Sequence, residues 1–281
     1  MEKSVQQIDI RELLKGRHIP HFLLNYLSRT VHQDEINLFL RGNGHLHGLA
    51  FLNAALDYMG SNYMLLGNRH IPDLGKYIFV ANHPMGGLEG LLYFRIIGEK
   101  FPDVKSLSND ILMNVNNFNG LFVPIKVGGK QNREYVKQVD ELYESESQIL
   151  IFPAGLVSRR QSGIIRDVEW KKSFVSKAIQ HNRAIVPAYI SGKNSSFFYG
   201  LANLRKKLGI KTNLEMLYLP DEMFRQEIKT VRFTFGQTIL PEMLHNGMHH
   251  HDWAQSIKSY VYALSENPDL DFLAFMKHKQ N

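Results

Sequence analysis

His83 lies in the run Tyr77-Ile-Phe-Val-Ala-Asn-His-Pro-Met-Gly-Gly-Leu-Glu-Gly90, six residues before Glu89. An imidazole has an intrinsic pKa of about 6.5, so at neutral pH it can take a proton from a reacting hydroxyl and return it later. A carboxylate on the other ring nitrogen would fix the tautomer and stabilise the imidazolium. Gly86 and Gly87 would let the backbone fold sharply enough to bring Glu89 back to His83. Taken singly, each feature has a plain structural explanation. A histidine after a strand is usually hydrogen-bonded scaffolding, a glutamate in a first helical turn complements the helix dipole, and Pro84 with two glycines is turn chemistry.

Three downstream stretches shift that balance. Asn119-Gly120-Leu-Phe-Val-Pro-Ile125 reads as a strand followed by the cations Lys126 and Arg133. In Ile149-Leu-Ile-Phe152-Pro153-Ala154-Gly155-Leu-Val-Ser158-Arg159-Arg160, a strand ends in Pro-Ala-Gly and then presents a hydroxyl and two guanidiniums. Ile185-Val-Pro-Ala-Tyr189 is another buried strand entering a loop. Guanidinium matches phosphate or carboxylate in bidentate fashion, which makes Arg159 and Arg160 candidate head-group binders; an exposed basic loop is the ordinary alternative.

The elements that must position these residues follow from periodicity. Phe22, Leu23, Tyr26 and Leu27 share a helical face, Gly42-Asn43-Gly44 interrupts, and Leu46 to Tyr58 resumes the helical pattern. From residue 62 short β-rich runs alternate with helical ones. Candidate strands are Tyr63–Leu66, Tyr77–Ala81, Lys105–Leu107, Leu121–Ile125, Ile149–Phe152, Ile185–Ile190 and Val231–Phe235, with helices near 88–99, 131–145, 170–182 and 196–208. Such alternation predicts an α/β fold with a mostly parallel central sheet flanked by helices, in which ligands bind beyond the carboxyl ends of the strands. Residues 1–60 read as a helical extension packed on an α/β domain at 61–281, whose tail closes with one or two helices.

Composition sets the limits. A chain of 281 residues, 44% of them hydrophobic, can bury a sizeable core. With no cysteine, thiolate nucleophiles, disulfides and thiolate zinc sites are excluded. Met248-His249-His250-His251-Asp252 has metal-ligand residue types, but adjacent histidines do not converge; an exposed loop with Asp252 as helix N-cap is the better reading, and no metal is expected. The net charge of +6 suits an anionic partner. No stacking platform or basic-aromatic repeat points to nucleic acid. The start has no continuous apolar core like that of a signal peptide, and no run approaches the roughly 18 apolar residues of a spanning helix.

The order Asn82-His83-Pro84, Gly86-Gly87, Glu89-Gly90, then NGLFVPI, FPAG with SRR, and IVPAY resembles the blocks of the glycerolipid acyltransferase family, which includes the 1-acylglycerol-3-phosphate acyltransferases. Over about residues 60 to 240 it is most similar to a bacterial, hemolysin-like branch that includes the O-acyltransferases of amino-acid lipids. The resemblance implies an O-acyltransferase of membrane phospholipid and lipid metabolism. It would move a fatty acyl group from acyl carrier protein or coenzyme A, as co-substrate and without a cofactor, to the hydroxyl of a lysolipid. It casts His83 as base and Glu89 as its acidic partner. Asn82, Gly86, Gly87, Phe152, Pro153, Gly155, Ser158, Arg159, Arg160, Lys171 and Lys172 become the substrate-binding set. This chain departs from the family twice: the family has Asp five residues after the histidine, and its third block reads FPEG where Ala154 stands here. The second departure leaves two acceptors open, lysophosphatidate and a lysolipid with another head group, such as an acylated amino acid.

Such an enzyme would sit peripherally on the cytoplasmic face of the inner membrane. Two stretches could meet a lipid boundary: Asn194-Ser-Ser-Phe-Phe-Tyr-Gly-Leu-Ala-Asn-Leu-Arg-Lys-Lys207, and the first helix with Arg17, His18, Phe22, Leu23 and Leu24. Core packing of an amphipathic helix explains either one as well. The alternative to an enzyme is a lipid-binding protein that kept the fold and lost catalysis, in which the Glu89 carboxylate would point away from His83.

Overall fold

A computed structural model describes residues 7–13, 20–108, 115–124, 133–225, 230–244 and 247–280. The chain opens with helices α1 (Ile10–Leu13), α2 (His21–Thr30), α3 (Gln33–Asn43) and α4 (Gly48–Tyr58). Then follow β1 (Asn62–Leu66), β2 (Tyr77–Ala81), α5 (Leu88–Gly98), β3 (Val104–Ser108), β4 (Phe122–Pro124), α6 (Arg133–Glu144) and β5 (Gln148–Ile151). A hairpin, β6 (Arg159–Gln161) and β7 (Ile164–Arg166), leads to α7 (Ser173–Gln180), β8 (Ala184–Ile190), α8 (Ser196–Lys207), α9 (Leu219–Arg225) and β9 (Thr230–Phe235). Helices α10 (His250–Ala263) and α11 (Phe272–Gln280) complete the described residues.

Among the described residues the main sheet has seven strands in the order β1-β9-β8-β2-β5-β3-β4. Every neighbouring pair is parallel except β8 with β9. The centre is β2, which pairs with β8 from Tyr77↔Ala184 to Ala81↔Ala188 and with β5 at Ile78↔Ile149. Its run Ile78-Phe79-Val80-Ala81 is fully buried, as a strand covered on both faces requires. Alternation sends the side chains to opposite faces. Phe79 and Ala81 join a core layer with Leu92 and Ile97 of α5, while Ile78 and Val80 join a second layer with Phe174 of α7 and Ile257 of α10. Each of these side chains larger than Ala81 stabilises the fold by about 1.5–3 kcal/mol on burial. Phe39 and Leu40 of α3 and Phe51, Leu52 and Leu56 of α4 belong to the first layer, so the helical start shares the core of the sheet.

The seven strands read from periodicity are all present, shifted by a residue or two; Ile125 and residues 131–132 lie outside the described set. Three features differ from the sequence reading. Residues 159–166, to which periodicity assigns no element, form the β6–β7 hairpin. Its turn has Ser162 and Gly163 both at positive φ, 48° and 83°, as a tight two-residue hairpin turn demands. The cap of α10 is His249, with Asp252 inside the first turn rather than at the N-cap. The face Phe22, Leu23, Tyr26 of α2 is exposed, not packed in the core.

Candidate active site

At the end of β2 the Asn82 amide bonds both ways with the Ile190 backbone: Nδ2 donates to the carbonyl at 2.8 Å, and Oδ1 accepts from the amide at 2.7 Å. The strand end is therefore tied to β8 just where His83 begins. The His83 ring stacks on Phe152, with centroids 4.1 Å apart and planes 18° apart. Its side chain keeps 18% of its surface exposed, so the ring is largely covered but still reaches the surface.

Nδ1 of His83 lies 3.0 Å from Oε1 of Glu89. Glu89 is fully buried in the first turn of α5. Oε1 also accepts from the backbone N–H of Met85 (2.8 Å) and Gly86 (2.7 Å), and Oε2 accepts from that of Gly87 (3.1 Å). The loop thus wraps the carboxylate in its own amides. Burial pushes the Glu89 carboxyl up; the His83 imidazole and the Gly86 and Met85 amides outweigh it and hold the group below the ordinary carboxylate range. The glycines are needed here. Gly86 has φ of +91°, and a Cβ on it would come within 2.5 Å of Val157 Cγ2, while one on Gly87 would meet Met223 Sδ at 2.4 Å.

The Phe152-Pro153-Ala154-Gly155 block supplies the stacking ring and a turn. Gly155 N–H donates to the Phe152 carbonyl at 2.9 Å, and Lys171 N–H donates to that of Pro153 at 3.0 Å. Gly155 has φ of +65°, and a Cβ there would sit 2.9 Å from Lys171 Nζ, which places that ammonium over the turn. Lys171 and Lys172 are both exposed. Ala154 is buried in the layer that holds Val80 and Trp170.

Ser158 and Arg159 are turned inward. Ser158 N–H donates to the His83 carbonyl at 2.7 Å, and its Oγ donates to Asp167 Oδ1 at 2.6 Å. Arg159 pairs at 3.0 Å with Glu215, which is fully buried and also takes Arg205 Nε at 2.8 Å. Arg160 lies over the Tyr199 ring, 5.1 Å from its centroid. Lys126 and the side chain of Arg133 lie outside the described residues.

Asp167 was not singled out from the sequence, yet it organises the backbone of the site. Oδ1 accepts from His83 N–H at 3.2 Å as well as from Ser158, and Oδ2 accepts from Trp170 Nε1 at 2.8 Å. The second unforeseen element is α9, whose Leu219 and Met223 cover Gly86 and Gly87.

The α/β sheet thus holds a partly exposed imidazole, paired with a buried carboxylate, at the carboxyl end of its central strand, where ligands of such sheets bind. Residues 11–269 match the family model described as Acyltransferase, and the chain belongs to this acyltransferase family, in keeping with the glycerolipid-type motif order. It is an acyltransferase. The chain is 42% identical over 270 residues to a lyso-glycine lipid O-acyltransferase of Bacteroides thetaiotaomicron, across 94% of this chain and 99% of that protein. It is 41% identical over 270 residues to a protein of the same description from Phocaeicola vulgatus, across 94% of this chain and 97% of that one. Among solved structures, that of the 1-acyl-sn-glycerophosphate (LPA) acyltransferase PlsC from Thermotoga maritima matches with a TM-score of 0.48 and 14% identity, over 86% of this chain and 89% of that chain.

Proposed function

We propose that this enzyme transfers a fatty acyl group from an acyl carrier protein or coenzyme A thioester to the hydroxyl of a lysolipid, with a lyso-glycine lipid as acceptor. The observation that carries the reading is the 3.0 Å contact between His83 Nδ1 and a fully buried Glu89 clamped by backbone amides. Glu89 stays ionised and accepts the Nδ1 proton, so the lone pair sits on Nε2, the nitrogen directed away from the carboxylate. Nε2 takes the proton of the acceptor hydroxyl as its oxygen attacks the thioester carbonyl. The tetrahedral adduct collapses, the C–S bond breaks, and the imidazolium returns the proton to the departing thiolate. Phe152 stacks on the imidazole, and Asn82, Ser158 and Asp167 fix the backbone that carries it. The acceptor assignment draws on the two relatives' names and on Ala154, which leaves the third block without its carboxylate.

The reaction takes place at a membrane surface in this reading, on the cytoplasmic face and within membrane lipid synthesis. No helix among the described residues is long and apolar enough to cross a membrane. Instead, two exposed apolar stretches meet. Tyr218 bonds Tyr26 of α2 through their hydroxyls at 2.8 Å and packs edge-on against Phe197 of α8 at 4.9 Å. Phe22, Phe197, Leu204 and Leu208 stand out from this surface beside Lys206 and Lys207, the mixture that enters a lipid boundary while meeting anionic head groups. Purified protein incubated with acyl-coenzyme A or acyl carrier protein and a panel of lysolipids should release thiol only with its proper acceptor. His83→Ala should abolish that release; release at the wild-type rate from this variant overturns the assignment.

A further inference from the structure

A cavity of about 450 Å³ opens between the β6–β7 hairpin and α10, with Asp167 in its lining. Arg159, Arg166 and Lys258 line it from three different elements. Two of the local carboxylates, Asp167 and Glu215, are already engaged, and a third, the exposed Glu169, lies 3.6 Å from His251. Asp167 spends its carboxylate on His83, Ser158 and Trp170, and Glu215 is shared between Arg159 and Arg205. Arg166 lies over the Tyr262 ring with its guanidinium carbon 4.6 Å from the centroid. Lys258 Nζ donates to the carbonyls of Asp167 (2.8 Å) and Val168 (2.9 Å), which leaves one of its three donors over. Among the described residues no carboxylate forms an ion pair with Arg166 or Lys258. Burial pushes the Lys258 ammonium below its ordinary range; the Asp167 charge opposes that shift and Arg166 adds to it.

A polar cavity with surplus cations takes an oxyanion, not a hydrocarbon tail. Its lining also reaches the base, since Asp167 accepts from the His83 backbone N–H at 3.2 Å. We propose that this cavity receives the head-group carboxylate of the acceptor lipid, with Arg166 and Lys258 as its direct partners and Arg159 adding positive charge from the wall. The proposal rests on the acceptor reading above, because an N-acylated glycine ends in a free carboxylate. Phosphates of the thioester donor have the same oxyanion chemistry and are the competing source.

Arg166 is exposed and makes no ion pair with a described residue, so Arg166→Gln should fold normally. The probes are dodecanoylglycine and dodecanoylglycinamide, which share the acyl chain and end in a carboxylate and a neutral carboxamide respectively. Titration calorimetry with the full chain should give about tenfold or more tighter binding of the acid by wild type, and Arg166→Gln should erase that preference. In steady state, Arg166→Gln should raise KM for the lyso-glycine lipid by a similar factor with kcat within about twofold, and Arg166→Lys should recover part of the loss. Equal binding of acid and amide by wild type overturns the proposal. So does a variant that weakens both equally, or one that raises the donor KM and leaves the acceptor KM unchanged. Turnover of the lyso-glycine lipid in the same preparations separates the two layers: turnover without acid preference overturns the carboxylate cavity alone, whereas absence of both turnover and binding overturns the acceptor reading with it.

Discussion

Glu89→Gln is the sharpest test of the His83–Glu89 pair. Oε1 accepts from three donors, His83 Nδ1 and the Met85 and Gly86 amides, and Oε2 accepts from Gly87. A glutamine can point its oxygen at the first group, but its NH₂ then meets the Gly87 N–H, donor against donor. The reverse orientation is worse. Either way the negative charge that balances the imidazolium is gone. Two unit charges about 4 Å apart are worth roughly 4 kcal/mol at an effective dielectric near 20, and that energy is felt fully only when His83 is protonated in the transition state. At about 1.36 kcal/mol per decade this predicts a fall in kcat of roughly 10²–10³, with KM little changed. Glu89→Asp keeps the charge but withdraws it by about 1.5 Å, which stretches the contact with His83 to roughly 4.5 Å, beyond hydrogen bonding. It should also lose most activity, although aspartate is the usual residue of the family. Thiol release under saturating donor and acceptor measures both variants. A Glu89→Gln enzyme within about threefold of wild type, alongside an inactive His83→Ala, refutes the idea that the carboxylate assists the base.

Other outcomes follow from the same contacts. Glu89 is held below its ordinary value of 4.5, so its ionisation stabilises the fold above that pH and the contribution is lost as pH falls through the depressed folded value. The thermal-stability gap between wild type and Glu89→Gln should therefore be widest above pH 4.5 and close on acidification, and a gap that widens in acid contradicts the assignment. Asp167→Asn faces its new NH₂ toward a buried donor and should cost about 2–4 kcal/mol in urea unfolding, with a fall in kcat of about tenfold or more from the misplaced His83 backbone. An unchanged unfolding midpoint would deny Asp167 that role. Replacing Phe22 and Phe197 together by Glu should abolish sedimentation with anionic liposomes and leave turnover of detergent-dispersed substrate within about twofold; undiminished liposome binding would place the membrane face elsewhere.

The sheet was legible because β2 and its neighbours are continuous apolar runs bounded by turn residues, a pattern that burial on both faces enforces. The His83–Glu89 pair was legible because its partners are six residues apart and the intervening glycines announce a tight loop. Asp167 was not. It lies in Arg166-Asp-Val-Glu-Trp170, a stretch without periodicity, and its partner His83 is 84 residues away. The β6–β7 hairpin carried one readable sign, the Ser162-Gly163 dipeptide, but its strands are three residues each and largely polar, too short to show alternation. Helix α9 carried another, Pro220 followed by Asp221 and Glu222 at a helix start. That it covers Gly86 and Gly87 is a tertiary fact no local pattern contains.

The two departures from the family pattern have separate local explanations. The extra residue between His83 and the acid lengthens the loop, and the loop uses that length to close three amides around the longer carboxylate, so the pairing at Nδ1 is retained. The missing carboxylate at Ala154 has a different origin. Its Cβ belongs to a layer with Val80, Trp170 and Phe174, where an ionised side chain would be buried among apolar neighbours without a partner. A glutamate could return there only if the layer were repacked or the turn moved. In the proposed function the base keeps its geometry while recognition of the acceptor comes from outside the third block, and the cations of the cavity beyond Asp167 supply it. Ala154→Glu, which restores the family block, should then destabilise the fold without lowering KM for lysophosphatidate. A gain of lysophosphatidate turnover in that variant, measured by thiol release, would show that acceptor choice resides in the third block after all.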